Sequence, residues 1–142
     1  MISGMAHTAV CVHDVEAATV WYADVLGFTV LSPPYRMEGP SIEQDMGELV
    51  PSPVVVSASI VGFGREDRVI ELIEHPEAGI TGTADPVVTR HGITHIGLVC
   101  DDLSATRAQL EDRGVTFLTA GTADVARLRT TWFSDPWAPC SS

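Results

Sequence analysis

Three residues of this chain have the types and the placement to hold a metal ion: His7, Glu71 and His95. His7 opens the run His7-Thr8-Ala9-Val10-Cys11-Val12-His13-Asp14-Val15, and His95 opens His95-Ile96-Gly97-Leu98-Val99-Cys100-Asp101-Asp102-Leu103. In both runs the histidine is followed by small and apolar residues and then by an aspartate, so that His7 and Asp14 recur as His95 and Asp102 at one common offset. Two neutral imidazoles and a carboxylate on neighbouring strands form an N,N,O donor set suited to Zn, Ni, Co, Mn or Fe(II), with positions left open for water or substrate. Taken singly, a strand histidine is more often a hydrogen-bonded structural residue and a glutamate a solvated one. The recurrence of the histidine moves the weight toward ligation.

The elements that must position these residues follow from the same repeat. In the first copy residues 6–12 read as a strand, Asp14 as the N-cap of a helix with Val15, Ala18, Tyr22 and Val25 or Leu26 on one face, and Gly27 as its stop. Residues 28–31 read as a second strand, ended by Pro33-Pro34. Residues 35–53 are rich in Gly, Pro, Ser and acidic side chains and read as a long connection with a turn or two of helix at 42–46, a candidate lid over a site. Residues 54–61 and 68–74 flank the turn chemistry of 62–67 and read as a hairpin. Strand alternation sets Val69, Glu71 and Ile73 on one face and Ile70, Leu72 and Glu74 on the other.

The second copy repeats the pattern as strand 93–100, helix 103–113 capped by Asp102, strand 115–119 and strand 128–133. The chain is therefore read as an internal duplication: a first module over residues 1–75, a linker over 76–91 and a second module over 92–142. The fold class is α+β, each module beginning strand, helix, strand and continuing in strands. After Asp135-Pro136-Trp137 the last strand of the second module is missing, and the chain ends Ala138-Pro139-Cys140-Ser141-Ser142. Dropping one G from codons for Gly-Ala-Leu-Phe-Glu gives that ending, so a frameshifted final strand and a natural truncation stand as alternative origins of the tail.

Composition bounds the partners. Hydrophobic residues make up 45% and charged residues 19%, which suits a packed globular chain rather than a disordered one. A formal net charge of −11, with eight scattered Lys and Arg, argues against nucleic acid or an anionic membrane as partner. No apolar run approaches bilayer length and no signal-like leader is evident, so a cytoplasmic protein is expected. Cys11 and Cys100 are expected as core residues of the equivalent strands, without a disulfide.

With these residues in view, the chain resembles the vicinal oxygen chelate superfamily of glyoxalase, bleomycin-resistance and extradiol dioxygenase proteins over nearly its whole length. The resemblance rests on residues 7–15, Trp21-Tyr22 with Leu26-Gly27-Phe28, Val69-Ile70-Glu71-Leu72, Gly92-Ile93-Thr94-His95-Ile96 and Ser134-Asp135-Pro136, in that order. It implies two tandem βαβββ modules whose curved mixed sheet surrounds a central cleft, and the metal ligands His7, Glu71 and His95. It implies further, in the manner of glyoxalase I and methylmalonyl-CoA epimerase, a divalent metal that chelates two neighbouring substrate oxygens while a carboxylate moves a proton next to a carbonyl. The family's fourth ligand, a late glutamate, has no counterpart here, which leaves Glu71 as the available base.

A metal-free drug-binding protein of the bleomycin-resistance type is the alternative from a different class, and would use an aromatic-lined cleft for which Trp21, Trp132 and Trp137 are available. An extradiol dioxygenase is another and would need further acid/base groups, for which His13, His75 and His91 qualify by type. A relative that has lost catalysis with its last strand is the remaining one. In all of them the partner is a small molecule, and an open sheet edge in the second module points to a homodimer.

Overall fold

The computed structural model describes residues 1–64, 68–82, 87–89 and 91–137. The turn residues 65–67, part of the expected linker, and the tail 138–142 lie outside the described residues. The chain divides into two compact units, Met1–Gly82 and Thr83–Ser142.

The first unit runs β1 (His7–Cys11), α1 (Val15–Asp24), β2 (Thr29–Met37), α2 (Pro40–Met46), β3 (Val56–Gly62) and β4 (Val69–Glu74). Its four strands form one sheet in the order β1-β4-β3-β2, with β1 parallel to β4 and the other pairs antiparallel. The parallel pair exists because α1 carries the chain out of β1 and across the sheet, whereas β3 and β4 are close in sequence and pair antiparallel. Helix α1 starts where Asp14 accepts a hydrogen bond from the Ala17 amide at 2.9 Å, and its Val15 amide donates to Glu74 Oε2 at 2.8 Å. Val15, Ala18 and Tyr22 are buried against the sheet, as their spacing predicts. Inside that face the Thr19 hydroxyl donates to the Val15 carbonyl at 2.6 Å and stands 2.6 Å from Ser59 Oγ, which satisfies two buried polar groups together.

Two expectations about this unit are corrected. Pro33-Pro34 does not end the second strand: β2 continues through both prolines to Met37. The strand lies at the sheet edge, and its register against β3 shifts between Ser32 and Tyr35, so no central ladder loses a donor there. The connection expected over 35–53 is shorter, because 35–37 belong to β2, while the turn or two of helix expected at 42–46 forms as α2. Ile42 of α2 packs with Val54, Val56 and Ala58, and Glu43 accepts hydrogen bonds from Ser52 Oγ at 2.5 Å and the Val54 amide at 2.7 Å. Those bonds, the Ser52 one first, hold the Glu43 carboxyl below the usual carboxylate range.

The second unit contains α3 (Leu103–Asp112), β5 (Thr116–Phe117), β6 (Ala123–Val125), β7 (Leu128–Thr130) and β8 (Phe133–Ser134). Asp102 caps α3 by accepting from the Ala105 amide at 2.9 Å, in the same way that Asp14 caps α1. β5 pairs antiparallel with β8, and β6 with β7 across a two-residue turn in which Ala126 (φ 48°) and Arg127 (φ 70°) both take left-handed backbone. The expected strand 128–133 is thus split between β7 and β8, each answering to a different partner.

The expected strand 93–100 does not form. Ile93 is 78% exposed and Val99 97% exposed. β1 owes its strand to the ladder with β4, and the described strands of the second unit pair among themselves, leaving none in the role of β4. Without that partner the segment 93–100 forms no strand, and within it Ile96 makes a single β-bridge. Cys11 and Cys100 are exposed rather than core: Cys11 lies on the sheet face opposite α1, and Cys100 at the end of segment 93–100. No helix among the described residues is long and apolar enough to cross a membrane.

Candidate functional site

β1 and β4 run side by side with His7 opposite Val69 and Ala9 opposite Glu71. Alternation along both strands then puts His7, Ala9 and Cys11 on the same face as Val69, Glu71 and Ile73. Glu74, on the other face, is spent on the start of α1, and Glu71 is the glutamate that faces the histidine. His7 Nε2 stands 3.2 Å from Glu71 Oε2, with the two side chains 46% and 19% exposed. Helix α1 covers the opposite face, so the pair sits on a rigid, well-packed sheet and is still open to solvent.

The separation tests whether these two donors suit a metal. A nitrogen and an oxygen each about 2.1 Å from one ion and 3.2 Å from each other subtend roughly 100° at it. That lies between the octahedral and tetrahedral ideals, so this imidazole and carboxylate fit one divalent cation as a two-donor half site. Partial burial of its thiol pushes Cys11 above the usual thiol range, which disfavours the thiolate a metal would need.

His95 belongs to the second unit. Thr94 Oγ1 lies 2.8 Å from its Nδ1, and the Trp132 ring stands against the imidazole edge-on, with centroids 4.7 Å apart and planes at 66°. Trp132 is itself held at both backbone groups: Leu118 donates to its carbonyl at 2.8 Å, and its amide donates to Thr119 Oγ1 at 3.3 Å. Arg107 of α3 ties those loops together. Its guanidinium donates to the Thr119 carbonyl at 2.8 Å, the Gly121 carbonyl at 3.0 Å and Thr131 Oγ1 at 2.5 Å, pairs with Glu111 at 2.9 Å and lies 4.2 Å above the Phe117 ring.

Of the three sequence-assigned ligands, then, the first unit brings His7 and Glu71 together, and the second holds His95 beside Thr94 and Trp132. Among the described residues no group of three or more His, Cys, Asp and Glu side chains is placed to hold a metal. His13 and His91 are exposed, while His75 is half-buried, with its Nδ1 unbonded among the described residues. Sequence reasoning did not single out Thr94, although a hydroxyl residue next to a candidate ligand is a signal for a ring-nitrogen partner.

A family model described as the glyoxalase/bleomycin resistance protein/dioxygenase superfamily matches residues 6–133. No curated protein sequence matches the chain. Among solved structures, a glyoxalase family protein from Bacillus cereus is similar with a TM-score of 0.82 at 12% identity, over 99% of this chain and 92% of that one. Glyoxalase I of Leishmania major, trypanothione-dependent by its description, gives 0.66 at 18% identity over 99% and 84%. An antibiotic-binding protein from Streptomyces sp. CB03234 gives 0.59 at 23% identity over 99% and 93%. At these identities the likeness is one of fold.

Proposed function

The chain belongs to the glyoxalase/bleomycin resistance protein/dioxygenase superfamily, and from that premise we propose that it is a metal-dependent lyase or isomerase acting by proton transfer next to a carbonyl. The observation that carries this reading is the His7–Glu71 pair at 3.2 Å on one sheet face. His7 and Glu71 would hold a divalent cation, with His95 as the third donor by the sequence repeat. When bound, that cation supplies Lewis acidity toward two neighbouring substrate oxygens and lowers the cost of charge beside the carbonyl.

The chain's own residues do the rest. His7 would give a nitrogen donor, anchored by an edge strand that pairs with β4 along its whole length. Glu71 would be the base that takes the proton from the carbon next to the carbonyl and returns it to the neighbouring or the same carbon, a transfer that needs only hydrogen-bond reach. The substrate is a small oxygenated molecule, and the free thiols of Cys11 and Cys100 fit a reducing, cytoplasmic setting. We also propose a homodimer, because segment 93–100 forms no strand and leaves Ile93 and Val99 exposed for a second copy to cover.

The test is metal content of untagged protein purified without chelator, beside His7→Ala, Glu71→Gln and His95→Ala. Stoichiometric Zn, Ni, Co, Mn or Fe in the parent and its loss in each variant is the expected result. A parent that takes up none of these ions when each is added back would refute the reading. A metal-free binder is the second reading, supported by the exposed imidazole of His95 standing against Trp132, an aromatic surface for a planar ligand. It predicts ligand-induced quenching of Trp132 fluorescence that is indifferent to chelator.

A further inference from the structure

A histidine ligates through one ring nitrogen, and which one is free depends on what the other does. At His95 the other is taken: Thr94 Oγ1 sits 2.8 Å from Nδ1. A hydroxyl can accept from an Nδ1–H, and in that arrangement Nε2 carries the bare lone pair. The same atom, Nε2, is the one His7 presents toward Glu71. Trp132 closes one side of the His95 ring, and its own backbone is fastened by Leu118 and Thr119, so rotation of the imidazole is opposed by a fixed surface.

We propose that Thr94 is a positioning residue for His95, fixing the tautomer that leaves Nε2 free for a divalent cation, and that Trp132 fixes the plane of the ring. This rests on the metal reading above. Segment 93–100 forms no strand and is held by a single β-bridge at Ile96, so the hydroxyl and the indole supply at the His95 ring the orientation that β1 gives His7 through its strand.

Three measurements on the full chain test it. Zn(II) and Co(II) affinities are determined by competition with a chromophoric chelator for the parent, Thr94→Val, Thr94→Ser and His95→Ala. Loss of an outer partner of a histidine ligand costs about 10- to 100-fold in affinity. Thr94→Val should therefore bind at least about tenfold more weakly, and Thr94→Ser, which restores the hydroxyl, should stay within about threefold of the parent. Second, imidazole nitrogen correlations by NMR on metal-free protein should show His95 as the Nδ1–H tautomer in the parent and in Thr94→Ser, and should lose that preference in Thr94→Val. Third, Co(II) should quench a part of the fluorescence that is absent from Trp132→Phe.

If Thr94→Val binds like the parent while His95→Ala binds weakly, or if Thr94→Ser is as weak as Thr94→Val, the positioning role is overturned and the metal reading stands. An Nε2–H tautomer in the parent overturns it as well, without any variant having to fold. If the parent binds neither ion, or His95→Ala binds as the parent does, the metal reading fails at His95, and the role of Thr94 fails with it.

Discussion

The two units start from matching sequence and are held together by different forces. In the first, fifteen apolar residues from Val10 to Leu72 are buried, around a four-stranded sheet with a helix on each face. In the second, the described residues bury three, Leu110, Val115 and Phe133, and the longest strand has three residues. What the second unit has in place of a core is Arg107, whose guanidinium reaches two carbonyls, a hydroxyl, a carboxylate and an aromatic face. Apolar burial is non-directional and cumulative, while a guanidinium fork fixes only what lies within its reach. The comparison teaches that repeating the motif does not repeat the sheet: His7 inherits its orientation from a ladder, and His95 has to obtain it from its neighbours.

The largest effect that could break this comparison is at Leu72, fully buried in β4. Leu72→Ala should cost about 2–5 kcal/mol, the ordinary loss for emptying a core leucine site. Val99→Ala, on the exposed segment of the second unit, should stay within about 0.5 kcal/mol. Urea unfolding of both variants checks this. Similar losses at the two positions would mean that 93–100 is packed in solution, and the contrast between the copies would fall.

How far the sequence could be read follows the same division between local and distant causes. The caps at Asp14 and Asp102, the apolar face of α1 and the β3–β4 hairpin are local patterns, and each forms where its residues say it should. The choice of Glu71 over Glu74 needed only strand parity and one partner. Residues 93–100 have a strand's composition, but a strand is completed by a partner far along the chain, and composition does not reveal whether one comes. Pro33-Pro34 reads as an end for the same reason, since tolerance of proline depends on β2 being an edge. Glu111 at four residues from Arg107 is visible on a helical reading, whereas Thr119, Gly121 and Thr131 become its acceptors only through the folded loops. At the site, His7 and Glu71 were legible as a pair, and the environment of His95 was not.

Arg107→Met keeps an aliphatic stem over Phe117 and removes every polar tether, so it separates the guanidinium's hydrogen bonds from its packing. Bonds to a charged donor contribute about 1.5–3 kcal/mol each when buried. Several acceptors here are open to water, and a total loss of about 2 kcal/mol is expected rather than a sum. Hydrogen exchange should localise the loss to amides of the second unit, with Leu118 and Trp132 among them and those of β3 and β4 unchanged. Faster exchange spread evenly over the whole chain would show that Arg107 is not a private support of that unit.

The smallest expected effect lies where the copies agree. Asp14 and Asp102 make the same bond, an aspartate oxygen to the amide three residues on at 2.9 Å, at the heads of α1 and α3, ten residues each. Removing an N-cap costs about 0.5–2 kcal/mol, and the losses from Asp14→Ala and Asp102→Ala should both fall in that range. The agreement has a limit that sharpens the contrast. The α1 head has a second acceptor, because Glu74 Oε2 takes the Val15 amide from across the sheet. At α3 the described hydrogen bonds give Leu103 no such partner. Asp14→Ala should therefore be the milder of the two, and Asp14→Ala combined with Glu74→Gln should bring the loss at α1 up to or beyond that at α3. Equal losses from the single variants would show that the cross-sheet bond adds nothing to the cap, and that the first unit's advantage lies in its apolar core alone.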